Sequence, residues 1–65
     1  MDKHMYIKVS TAWETVLQVA GYQWFLFSHT GQVMARSDFY KRHCDASRVG
    51  KQTATRLQIA FRGDL

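Results

Sequence analysis

The sequence predicts an α+β domain of two layers, an antiparallel β-meander of three to five strands packed on one α-helix. Three observations carry that expectation. Short runs in the first half alternate apolar and polar residues, the period of a strand with one buried face. Gly21 and Gly31 fall between such runs, where a chain must reverse. From about Tyr40 the small and apolar residues recur at steps of three and four, the period of a helix face.

The elements follow in order. "MYIKVS" sets Met5, Ile7 and Val9 on one side and Tyr6, Lys8 and Ser10 on the other, a strand with β-branched content. "TAW" joins it, without glycine, to "ETVLQVA", read as a second strand with Thr15, Leu17 and Val19 on one side. Gly21 then marks a tight turn into "YQWFLFS". "SHTGQ" is the next reversal, with Gly31 free to take positive φ, and "QVMARS" the next strand. Ser37 or Asp38 is placed to cap a helix running from about Tyr40 to Thr55, whose stripe is Ala46, Val49, Thr53 and Leu57. Gly50 within it costs about 1 kcal/mol relative to alanine, which points to a close approach or a weak helix. "RLQIAFR" alternates Leu57, Ile59 and Phe61 against Gln58, Ala60 and Arg62; it reads as a closing strand, with continued helix as the alternative.

The 65 residues make one domain, 1–65, without prolines, linkers or repeats. A chain so short buries little surface, so many such domains lean on a disulfide, a metal or a partner. The lone Cys44 cannot close an internal disulfide, which fits a reducing compartment, and His4, His29, His43 and Cys44 lack paired-ligand spacing. A second chain is therefore the expected source of extra core. The N-terminus lacks a long apolar run and no stretch approaches a membrane span, so a soluble, cytoplasmic protein is expected. Residues 36–65 hold seven Lys and Arg against three Asp, which accounts for the whole net charge of +4. That bias suits nucleic acid, an acidic protein surface, or simply a solvated helix face.

The segment "VAGYQWFLFSHTGQVMARSDFYKRHCDA", with Gly21, Trp24, Leu26, Gly31, Val33, Ala35, Ser37 and Tyr40 at its turn and core positions, resembles the YegP-like family of small uncharacterised bacterial and archaeal domains. The resemblance spans roughly residues 15–50. It implies a meander on one helix, occurring as a tandem repeat or, in single-copy members, as a homodimer. This length matches the dimer case. Phe25 and Phe27 stand where that family carries polar residues. Arg42, His43 and Cys44, and later Arg48, Val49 and Gly50, replace its usual helix-opening run and its Asn-Gly-Ile-like step.

Trp24 and Leu26 share the expected core face, so Phe25 and Phe27 point the other way. Burying each is worth about 1.5–3 kcal/mol, and one helix cannot cover both faces of a sheet. A second copy, the segments 4–10 and 56–62 folded back, or a different protein would cover them. His43, Cys44 and Asp45 are consecutive, so on a helix they diverge by about 100° per residue and form no catalytic site; Cys44 reads as a small partly buried filler. Glu14, Asp38 and Asp45 form no carboxylate pair, and "HTG" is not a phosphate loop. No enzyme, cofactor, metal or small-molecule substrate is expected. The reading is a protein-interaction module acting as a homodimer, with Tyr22, Phe25 and Phe27 as interface and Lys41, Arg42, Arg48 and Lys51 as a basic partner surface. A phage or mobile-element product that inhibits a host factor would fit this description. The alternative is a small basic nucleic-acid-binding protein whose sheet aromatics stack bases.

Overall fold

The computed structural model describes residues 5–65; His4, weighed above as a metal ligand, lies outside them, and so does the start of segment 4–10. The elements are β1 (Tyr6–Glu14), β2 (Val19–Phe27), β3 (Val33–Arg36), α1 (His43–Leu57) and β4 (Ala60–Asp64). They build a two-layer α+β domain in which one four-stranded sheet, ordered β3-β2-β1-β4, packs on α1. The sheet is mixed: β1, β2 and β3 are antiparallel neighbours, whereas β4 runs parallel to β1. This corrects the purely antiparallel expectation, and the reason is connectivity. A strand–helix–strand crossover returns the chain in its original direction. Since β3 already runs with β1, β4 must as well.

The first hairpin differs from the sequence reading. β1 continues through "TAW" to Glu14, and the turn is Thr15–Gln18, not Gly21. Gln18 adopts φ 55°, and the Glu14 carboxylate accepts the Val16 N–H at 3.1 Å. Gly21 lies inside β2, and a β-carbon there would collide with the Phe39 ring and the Tyr40 carbonyl. The glycine serves close approach: Tyr22 and Tyr40 exchange backbone hydrogen bonds of 2.7 and 2.8 Å at this point. At the second reversal Gly31 takes φ 88°, as its place in "SHTGQ" predicts.

The helix is not capped by Ser37 or Asp38. Its N-cap is Arg42, with extended backbone and no side-chain cap. Ser37 instead braces β2. The Trp24 N–H donates to its hydroxyl at 3.0 Å, and the hydroxyl donates to the Asp38 carbonyl at 2.8 Å. The inner stripe is Ala46, Gly50 and Ala54, not the larger residues of the expected one; Leu57 is 45% exposed. Small residues are needed because the sheet supplies the bulk. At Gly50 a β-carbon would stand 3.0 Å from Phe61 and 3.4 Å from Trp24. Ile7, Val9, Ala46 and Ala54 complete the buried apolar core. Gln58, at φ 58°, ends α1 and returns its N–H to the Ala54 and Thr55 carbonyls, so residues 56–62 divide between helix end and strand.

Candidate binding face of the sheet

Strand alternation sends Ile7, Val9, Trp24, Leu26 and Phe61 toward the α1 layer and Tyr6, Lys8, Phe25, Phe27 and Arg62 to the other side. Pairing sets the rows on that helix-free face. Lys8 sits opposite Phe25 and Phe25 opposite Arg36, so one line across β1, β2 and β3 reads cation, ring, cation. In the next row Tyr6 sits opposite Phe27.

The second row satisfies itself. The Tyr6 and Phe27 rings stack with centroids 5.2 Å apart and planes 19° apart. From the β4 flank the Arg62 guanidinium lies 4.6 Å from the Tyr6 centroid, and the Lys8 ammonium lies 5.9 Å from it. Such ring pairs add about 0.5–1.5 kcal/mol beyond burial, and an exposed cation over a ring about 0.5–1 kcal/mol. Phe25 meets Phe27 obliquely, at 6.3 Å and 50°. It ends the ring row and has a cationic residue opposite it on either neighbouring strand.

This arrangement answers what shelters the two phenylalanines. Both are half-buried, although no second layer packs over them among the described residues. Their shelter is lateral, from the Tyr6 ring against Phe27 and from each other. The terminal segments lie beside them as β1 and β4 instead of folding over them. The most exposed large apolar side chains are elsewhere: Trp13, Val16 and Leu17 on the first hairpin, Val33 and Met34 on β3, and Leu65 at the chain's end.

The structure separates the other residues singled out from sequence. Tyr22 is on the α1 side, edge-on to His43 at 5.2 Å, and does not share a face with Phe25 and Phe27. Of the helix cations, Arg42 is the N-cap, Arg48 bonds Asp45 at 2.8 Å, and the Lys51 ammonium lies 5.7 Å from the Phe61 ring. Lys41 is exposed ahead of the helix. These four do not form one stripe; the sheet instead sets Lys8 and Arg62 beside the Tyr6 ring and Arg36 opposite Phe25 on one face. Their signal was present in the alternation of "YIKV" and "IAFR", but the strand order was needed to bring them together.

His43 Nε2 lies 2.6 Å from Asp64 Oδ1, which ties the start of α1 to the end of β4 beside a cavity of about 200 Å³. Thr11, Tyr22 and Ser10 also line it, but the Ser10 hydroxyl is turned to the Thr11 carbonyl at 3.2 Å. Cys44 is exposed, not the partly buried filler its composition suggested. Among the described residues no group of three or more His, Cys, Asp or Glu could hold a metal ion, and no helix is long and apolar enough to cross a membrane. No family model, curated protein or solved structure matches the chain.

Proposed function

We propose that the chain is a non-catalytic binding module whose helix-free sheet face takes single-stranded nucleic acid. The observation that carries this is the cross-strand row Lys8–Phe25–Arg36. Phe25 offers a base a ring not enclosed by a parallel neighbour, while Lys8 and Arg36 stand where the phosphates on either side would pass. Arg62 adds a third cation on the same face. No carboxylate occurs in residues 6–10, 23–27, 35–36 or 60–62, which form the face and its immediate backbone. That composition disfavours direct face-to-face self-association, since a two-fold axis would set three cations against the same three. It favours a polyanion. The YegP-like kinship is proposed alongside: the shared-pattern residues Gly21, Ser37 and Tyr40 here all tie β2 to the segment leading into α1, which gives that pattern a structural purpose.

The test is fluorescence anisotropy with labelled single-stranded DNA and RNA at several salt concentrations. Three phosphate contacts give a slope of log K against log salt of about −2, from roughly 0.7 per contact on single strands. Phe25→Ala should weaken binding by about 1–3 kcal/mol with the slope unchanged, and Arg36→Gln should make the slope shallower by about 0.7. Absence of binding to any single strand at low salt removes the proposal.

A further inference from the structure

We infer that the helix-free face prefers single strands carrying adenine or cytosine over thymine or uracil, with the Gln23 side-chain amide contacting the edge of the base stacked on Phe25. This preference rests on the proposed stacking of a base on Phe25 and adds to it the class of base.

Alternation along β2 puts Gln23 on the same side of the sheet as Phe25, two residues nearer the first hairpin. Two residues of strand span about 6.6 Å, so a base laid on the Phe25 ring brings an edge to this side chain. In the other direction along β2 stands Phe27, already stacked with Tyr6. Lys8 and Arg36 occupy the flanks. Gln23 thus sets a neutral hydrogen-bonding group next to the ring.

That amide is held in place. The Trp24 N–H donates to the Ser37 hydroxyl, and the Ser37 carbonyl accepts from Gln23 Nε2 at 3.1 Å in a part-buried bond. A carbonyl can only accept, so the nitrogen end of the amide is the one turned to Ser37. One of the two amide hydrogens is thereby used. Oε1, with two lone pairs, and a single N–H remain. Ser10, opposite Gln23 on β1, gives its hydroxyl hydrogen to the Thr11 carbonyl at 3.2 Å, so it adds an acceptor and no donor. Together the two side chains offer more acceptors than donors.

Adenine and cytosine match that balance. Each carries an exocyclic amine beside a ring nitrogen acceptor, so the amide accepts from the first and donates to the second. The second hydrogen of the amine meets an acceptor that remains. Thymine and uracil carry one N–H between two carbonyls, which leaves a carbonyl facing an acceptor and without a partner. Because Ser37 holds the amide before a strand arrives, little side-chain freedom is lost on binding.

Fluorescence anisotropy of the full chain at low salt tests this, comparing a labelled thymidine hexamer with hexamers carrying one central adenine or one central cytosine. The substituted strands should bind on the order of tenfold tighter. Gln23→Met, which keeps the side chain's length and removes the amide, should bring all three to one affinity with the salt slope and far-ultraviolet dichroism unchanged. Replacing the central adenine by unsubstituted purine keeps the stack and removes the amine, and should erase the preference in the unaltered protein. Equal affinities with salt-dependent binding retained overturn the inference and leave the binding face standing. So does a preference that survives Gln23→Met or the purine replacement. Absence of binding to every hexamer removes the face and the inference together.

Discussion

Replacing Gly21 by alanine tests the tie between β2 and the segment that leads into the helix. In an ordinary strand interior, glycine to alanine stabilises by about 0.5–1 kcal/mol, because the unfolded glycine has more freedom to lose. At Gly21 the added methyl meets the Phe39 ring and the Tyr40 carbonyl. The ring can move. The carbonyl cannot without disturbing the paired bonds between Tyr22 and Tyr40. Overpacking costs about 1–3 kcal/mol, and each weakened backbone bond about 0.5–1.5 kcal/mol. Set against the alanine gain, the net loss is about 3 kcal/mol, which for a domain of this size lowers Tm by roughly 12–24 °C. Urea and thermal unfolding followed by tryptophan fluorescence read this directly. Adding Phe39→Ala should restore only part of the loss, because the carbonyl remains. An unchanged or raised Tm in Gly21→Ala would refute the close approach and return this glycine to an ordinary strand position.

Other positions give contrasting outcomes. Gly50→Ala should be near neutral in thermal melts, since about 1 kcal/mol of helix propensity offsets crowding against side chains of Phe61 and Trp24 that can shift. Gln18→Gly and Gln58→Gly should each raise Tm, by about 0.5–1 kcal/mol of stability, because both positions hold a left-handed backbone that favours glycine. His43→Ala should cost under about 1 kcal/mol in urea unfolding, because its pair with Asp64 is solvent-exposed.

Much of the fold was legible where pattern and local chemistry agree. The alternation of Ile7 and Val9, the positive-φ glycine of "SHTGQ" and the helix after Tyr40 all correspond to elements. Gly21 misled because a glycine between two apolar runs looks like a turn, whereas its purpose lies in a contact from residues 39 and 40 that spacing does not reveal. The true turn is signalled only by Gln18, a residue seldom found with positive φ. The helix stripe was misjudged because large apolar residues draw attention, and here Trp24 and Phe61 leave room only for alanine and glycine. The candidate face was half visible: Tyr6 and Lys8 on one side of β1, Phe25 and Phe27 on one side of β2. What joins them to Arg36 and Arg62 is a central β1 with β4 parallel beside it, and connectivity, not periodicity, determines that.

Titration of a short single-stranded oligonucleotide into isotopically labelled protein, followed by amide and side-chain NMR shifts, tests the binding face most directly. The largest shifts should fall on Lys8, Phe25, Arg36 and Arg62 and diminish as salt is added. Shifts confined to Lys41, Arg42, Arg48 and Lys51, or none at low salt, would contradict it.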